Sequence, residues 1–311
     1  MKRVTTLFNP KKALSLLLLL WLGLPCMVAA APEDAIRATD DAGHVITLPR
    51  NAQRIISLAP SITELLYAAG AGDKIVGAVA HSDFPPQARK LPVVGSYEQL
   101  DYERILSLKP DLVIAWPSGN GAPAIARLQE LRMTIYQNET KALEDISRAL
   151  RNLGLLAGTS EQADQTAREF ELRLRVLQKV YAQRKPVRVF YQIWNQPLYT
   201  VNGQHFISKV IELCGGENVF AGLPAVAPVV GLEAVIEANP QAIIASGMHD
   251  QRPTWLDDWR KWNMLAAVKN RDIYHLNADL INRPTPRILQ AADEMCRILE
   301  QVRSRQSKGG A

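Results

Sequence analysis

Between residues 160 and 184 the chain reads SEQADQTAREFELRLRVLQKVYAQR, without Gly or Pro and rich in strong helix formers. Phe170, Leu174, Leu177 and Tyr181 recur at helical spacing as one apolar stripe, while Glu, Arg and Gln cover the remainder. Thr159 and Ser160 suit the cap of this helix and Glu161 its first turn, and Arg184 with Lys185 suit the last turn before Pro186 stops it. At its per-residue rise the segment spans roughly 35 Å, the diameter of a small domain. Length alone fits an ordinary surface helix. Similar patterns on either side of it point instead to a stiff spine joining two lobes.

Ahead of the spine, residues 36–50 alternate as a short hairpin that turns at Asp41-Ala42-Gly43. Residues 55–58 read as a buried strand, with a turn at Ala59-Pro60. Ser61 and Glu64 have the spacing of a capping box, and Leu65, Leu66 and Ala69 continue an apolar face until Gly70. Strands follow at 75–79, 112–115 and 134–136, and helices at 101–108, 124–131 and 142–157. Beyond the spine come a strand at 187–193, a helix in HFISKVIELCGG closed by glycine, and a helix, Pro turn and strand in GLEAVIEANPQAIIAS. A strand at 273–276 and a closing helix at 285–301, with Ile288, Leu289, Ala292, Met295, Ile298 and Leu299 at helical spacing, complete the chain. Alternating strands and helices imply parallel sheets with right-handed crossovers. The expected fold is α/β: two Rossmann-like lobes joined by one long helix, with a ligand cleft between them.

The two halves can be laid over one another. LDYERILSLKPDLVIAW (100–116) matches VGLEAVIEANPQAIIAS (230–246), so that Glu103 falls on Glu233, Pro110 on Pro240 and Ile114 on Ile244; upstream, SITELLYAAG matches FISKVIELCG. The period is too long for a solenoid and suits duplicated lobes. Helix, proline and strand connect alike in many α/β proteins, which accounts for the shared prolines better than for the paired glutamates. Each glutamate alone reads as solvated helix surface.

Residues 1–30 break the pattern. Lys2, Arg3, Lys11 and Lys12 precede an apolar run, and the small residues Val28-Ala29-Ala30 follow it, as in a secretory signal peptide cleaved after Ala30. The run is short for a membrane span, and Pro25 is wrong for a lipid anchor on Cys26. Cleavage removes four of the 36 basic residues and none of the 31 acidic ones, leaving a net charge of +1. The basic character therefore belongs to the leader, and no charge argument for nucleic acid survives. The expected plan is a leader at 1–30, lobes at 31–159 and 186–311, and an interlobe helix at 160–185. Cys214 and Cys296 remain in an exported chain, as one disulfide or as two separate buried thiols.

His44, His81, His205, His249 and His275 are scattered, and there is no HExxH, CxxC, GxSxG or phosphate-cradling glycine loop. No catalytic or metal-binding residues are assigned. A set of aromatic and polar residues stands out instead. His81 to Phe84, Tyr97, Trp116 and Trp194 follow strands or lie in connecting loops, where open α/β sheets bind ligands. Large aromatics there wall a cleft for a broad, partly apolar ligand, although packing under a loop explains any one of them equally. Asp279 and Arg283 lie four apart before the closing helix. They either pair at the surface or offer an acceptor and a forked donor to a ligand carrying amides.

RIISLAPSITELLYAAG, SDFPP, LKPDLVIAW and LCGGENVF resemble the periplasmic binding proteins of ABC importers for cobalamin, haem and iron–siderophores. The resemblance covers essentially all of the mature chain. It is nearest to the cobalamin-binding members, in ERILSLKPDLVIAW, VIELCGGENVF, NPQAII and the Asp279…Arg283…Pro-Arg pattern. It implies a monomeric, non-enzymatic periplasmic protein without a cofactor of its own, which captures a corrinoid and delivers it to an inner-membrane permease dimer with its ATPase. It further implies a ligand cleft that includes Pro60, His81, Tyr97, Trp116 and Trp194, with Asp279 and Arg283 on corrin amides. Cys214 and Cys296 match the family disulfide, and Glu103 and Glu233 match a pair of acidic knobs that meet permease arginines. His81 stands where the resemblance expects a tyrosine and Tyr97 where it expects a tryptophan; a tryptophan is missing near Ala227, for which Trp194 compensates. Haem, held by His81 or Tyr97 as axial ligand, is the competing ligand. A periplasmic enzyme or metallochaperone is the competing class.

Overall fold

The computed structural model describes residues 35–181, 183–247 and 251–309, so the expected leader and its cleavage point lie outside the described residues. The hairpin of β1 (Ile36–Thr39) and β2 (Val45–Leu48) pairs antiparallel and packs ahead of the first sheet. That sheet contains β3 (Ile55–Ser57), β4 (Ile75–Ala78), β5 (Leu112–Ala115) and β6 (Ile135–Gln137), all parallel, in the order β4-β3-β5-β6. The second contains β7 (Val187–Gln192), β8 (Gly216–Asn218), β9 (Ala242–Ala245) and β10 (Ile273–His275), in the order β8-β7-β9-β10, also parallel. In each sheet the second strand lies outside the first, and the third and fourth follow on the other side. Central strands covered by helices on both faces read as continuous apolar runs, which is why LVIA and AIIA are fully buried.

The duplication extends to backbone conformation. β5 and β9 are offset by the same register that sets Glu103 on Glu233. The residue before each shared proline is left-handed, Lys109 at φ 45° and Asn239 at φ 42°. Helix α1 (Pro60–Ala68) and its counterpart Phe206–Leu213 both end at glycines with positive φ, Gly70 at 79° and Gly215 at 69°, a conformation that favours glycine.

Three local readings need correction. Ser61 does not cap α1: the helix starts at Pro60, Ala59 is the cap position, and no side chain caps it. Proline opens a helix without cost because its missing N–H would have no intrahelical partner. The closing helix runs Ile288–Gly309 instead of starting at Thr285; a turn at 286–287 precedes it, and Thr285 directs its hydroxyl to Glu64. Of the two glycines read as closing the helix in HFISKVIELCGG, only Gly215 does so; Gly216 opens β8, a strand too short and polar to show periodicity.

The long helix spans Ser160–Tyr181 and buries Ala163, Ala167, Phe170, Leu174 and Leu177. Arg151, on the helix Glu144–Ala157, ties it to the first lobe through Asp164 at 2.9 Å and Glu171 at 2.5 Å. Arg173 pairs with Asp293 of the closing helix. In the second lobe Cys214 and Cys296 form a disulfide, with Cα atoms 4.6 Å apart. Arg303 donates to the carbonyls of Cys214 and Gly215, each at 2.8 Å, and so satisfies carbonyls left open at the helix end. Among the described residues, no helix is long and apolar enough to cross a membrane.

Candidate functional site

At the carboxyl end of β5, Trp116 opens a one-turn helix, Pro117–Asn120. The buried Asn120 side chain holds three segments together. Its Oδ1 accepts from the Trp116 N–H at 2.7 Å, and its Nδ2 donates to the carbonyls of Leu58 and Tyr97, each at 2.9 Å. The rings of Tyr97 and Trp116 then lie 5.8 Å apart, tilted by 51°, a favourable aromatic arrangement. Glu139 fixes the indole by accepting from Trp116 Nε1 at 3.3 Å, and it also takes the Ser118 N–H and hydroxyl, each at 2.9 Å. Burial pushes the Tyr97 phenol above its ordinary pKa, and neighbouring Glu98 adds to the shift. Pro60 lies at the carboxyl end of β3, in the first turn of α1.

The second lobe has an aromatic pair of its own. Trp194 follows β7 in the short ladder of Trp194–Asn195 with Leu198–Tyr199, and its ring meets Trp255 edge to face at 6.4 Å. Buried Gln192 links this pair to the core: its Nε2 donates to the Trp194 carbonyl at 3.3 Å and its Oε1 accepts from Trp259 Nε1 at 2.7 Å. Trp255 was not singled out from the sequence. The signal was present in the Trp255, Trp259 and Trp262 series, whose members are four and three residues apart.

Asp279 and Arg283 do pair, at 2.8 Å, but not as an isolated surface contact. Arg283 reaches across the lobes, its Nη1 2.9 Å from Glu64 Oε1 and 2.9 Å from Asp83 Oδ1, and its Nη2 donates to the His81 carbonyl at 3.4 Å. Arg287 Nη1 joins Glu64 at 3.1 Å while its guanidinium lies 3.6 Å from the centre of the Phe84 ring, and Thr285 donates to Glu64 Oε2 at 3.1 Å. Glu64, whose side chain is 2% exposed, is therefore an anchor between lobes and not the partner of a helix cap. Burial pushes its carboxyl up, against the pull of Arg283 and Arg287. Burial acts the same way on Asp83, but Arg283 outweighs it and holds that carboxyl below its ordinary value. His81 contributes its carbonyl to this cluster from a left-handed backbone at φ 64°, and its side chain is exposed.

The seven expected ligand residues thus fall into separate groups: Tyr97 with Trp116, Trp194 with Trp255, and His81 with Asp279 and Arg283, while Pro60 opens α1. Among the described residues no ring contact joins the two aromatic pairs. A cavity of about 390 Å³ lies apart from both, walled by Tyr67, Phe84, Pro85, Pro286 and Arg287, with Glu64 at its edge. Glu103 and Glu233 are both exposed, each the second residue of its helix, in Tyr102–Ser107 and Leu232–Ala238. No group of three His, Cys, Asp or Glu among the described residues is arranged to hold a metal ion.

Duplicated parallel-sheet lobes, a single long helix between them in sequence, and charged and aromatic residues gathered at strand ends define a two-lobed solute-binding architecture. The chain belongs to the periplasmic binding protein family, which it matches over residues 55–280. It is 41% identical over 257 residues to the vitamin B12-binding protein of Vibrio cholerae, covering 82% of this chain and 92% of that protein. The protein of the same name from Yersinia pestis is 39% identical over 259 residues, or 83% and 90% of the two chains. The crystal structure of the periplasmic vitamin B12 binding protein BtuF of Vibrio cholerae matches with a TM-score of 0.76, covering 81% of this chain and 98% of that one. The periplasmic heme-binding protein RhuT of Roseiflexus sp. RS-1, 21% identical, shares the fold at a TM-score of 0.70, with 81% and 99% coverage.

Proposed function

We propose that this protein captures a corrinoid of the cobalamin type in the periplasm and presents it to the permease of an ABC importer, without catalysing a reaction. The observation that carries this reading is the 41% identity to a vitamin B12-binding protein, sustained over 92% of that protein. The candidate site agrees with it chemically. A corrin is broad and partly apolar with amide-tipped side chains, and the two lobes offer Tyr97 with Trp116, Trp194 with Trp255, and Arg283 beside Asp279. Pro60 and His81 complete the assignment from the first lobe.

In this reading the leader is removed after residue 30, and lobes 31–159 and 186–311 are carried on the segment 160–185, which contains the long helix, as a monomer. Purified mature protein titrated calorimetrically with cyanocobalamin and with haemin tests it. Saturable one-to-one binding of cyanocobalamin is expected; binding of haemin alone sinks the corrinoid assignment.

Delivery rests on Glu103 and Glu233, equivalent residues on equivalent exposed helices. A permease of two like subunits presents two equivalent surfaces, and rim charges steer docking and fix orientation more than they add affinity. Glu103→Arg with Glu233→Arg is expected to abolish uptake and permease docking while cyanocobalamin titrates as in wild type. Normal uptake by the double variant at physiological salt would reduce both glutamates to solvated surface.

A further inference from the structure

Resting on the corrinoid reading, we infer that Asp83 is a selectivity residue: with Asp279 it occupies Arg283, so that the site accepts a ligand edged with neutral amides and turns away one edged with carboxylates. Arg283 Nη1 is taken by Asp83 and Glu64, both at 2.9 Å, and Nη2 by Asp279 at 2.8 Å and the His81 carbonyl at 3.4 Å. Both terminal nitrogens of the guanidinium, its side chain 13% exposed, are thus engaged before any ligand arrives. Asp83 and Asp279, 45% and 35% exposed, each meet it through Oδ1. Their Oδ2 atoms take no donor from another described residue and are the acceptors the cluster offers to a ligand.

A primary amide supplies N–H donors to those oxygens and a carbonyl that shares Arg283. A carboxylate supplies only lone pairs, faces two ionised carboxylates, and reaches Arg283 only by displacing one of them. Arg287 is no substitute, since it is bound to Glu64 and covers the Phe84 ring. Exposed Arg89 adds some positive charge near Asp83, but it pairs with no carboxylate of the cluster among the described residues and is open to screening by salt. Selection of this kind works by a repulsive group as much as by an attractive one.

The test is calorimetric titration of the mature protein with cyanocobalamin and with its monocarboxylic acids, in which one side-chain amide has been hydrolysed. Wild type is expected to prefer the amide by about tenfold, the factor for one unit charge a few ångströms away at a partly exposed site. Asp83→Asn is expected to narrow that preference to about threefold or less, as one of the two facing charges is lost. Glu130→Gln, which removes an exposed charge paired with Arg127, should leave the ratio at its wild-type value. An unchanged ratio in Asp83→Asn, with a thermal melt showing that the variant is folded, overturns the inference. If wild type binds no corrinoid, the ligand assignment fails on its own, and the charge effect is read on haemin against its dimethyl ester. A preference for the neutral ester that Asp83→Asn removes sustains the inference; absence of that preference, or no binding of either, overturns it.

Discussion

Position 64 in the first lobe and position 209 in the second are equivalent, yet they differ completely in use. Glu64 is buried, and three side chains of the opposite lobe converge on it. Lys209 is half-exposed and pairs with Glu212 one turn away, at 3.0 Å, in its own helix. The neighbouring hydroxyls are conventional in both lobes: Thr63 bonds to Ser57 at 2.8 Å, and Ser208 donates to the Asn202 carbonyl at 2.7 Å. Duplication therefore supplied two like scaffolds, and divergence at single positions gave the first lobe an anchor to its neighbour. The second lobe is braced internally, by its disulfide and by Arg303.

The bracing gives the largest expected difference. Replacing Cys214 and Cys296 by serine releases a loop of 82 residues, which by chain entropy costs about 4 kcal/mol. Hydrogen exchange should then quicken at the amides of Ala242–Ala245 far more than at Leu112–Ala115; equal acceleration would mean that the disulfide braces the whole molecule. Next is Glu64→Ala, expected to cost about 3 kcal/mol because two guanidinium groups lose a buried carboxylate. Lys209→Ala at the equivalent position should cost no more than about 0.5 kcal/mol, as for exposed pairs. Urea unfolding of the two variants measures the contrast, and similar midpoints would dissolve it.

The aromatic pairs are expected to act alike. Trp116→Ala and Trp194→Ala should each weaken cyanocobalamin binding by about 2 kcal/mol through lost apolar contact, read by calorimetry. A loss confined to one lobe would leave the other pair as packing. The smallest contrast is in acid. Pro60 opens α1, whereas His205 at the matching position caps its helix by accepting from the Ile207 N–H at 3.2 Å. Burial lowers the His205 pKa from 6.5 to about 4. The folded state therefore holds fewer protons in that interval, and its stability is full above 6.5 and falls as pH drops toward 4. His205→Asn should flatten this part of the stability–pH curve; an unaltered curve would assign the acid sensitivity elsewhere.

Much of the scaffold was legible because buried strands and amphipathic helices leave periodic traces. The two central strands following shared prolines, the long helix and the lobe duplication all rest on such patterns. The contents of the interlobe cluster left none. Glu64 has capping-box spacing from Ser61, and only the tertiary partner at Arg283, far along the chain, shows that the carboxylate is used otherwise. Asp83 lies in a loop, where no period exists to mark it. Asp279 and Arg283 were visible as a pair, but a spacing of four cannot tell a surface contact from one arm of an interlobe network. Trp194 and Trp116 were legible as residues after strands, whereas Trp255 becomes relevant only through the ring it meets.

The central claim is that one ligand is held between the divergent lobes, and a crystal structure of the mature protein with cyanocobalamin tests it most directly. The account predicts a corrin contacted by Tyr97 and Trp116 on one side and by Trp194 and Trp255 on the other, with side-chain amides on Asp279 and Arg283. A corrinoid seated on one lobe only, or in the cavity walled by Tyr67, Phe84 and Arg287, would contradict it.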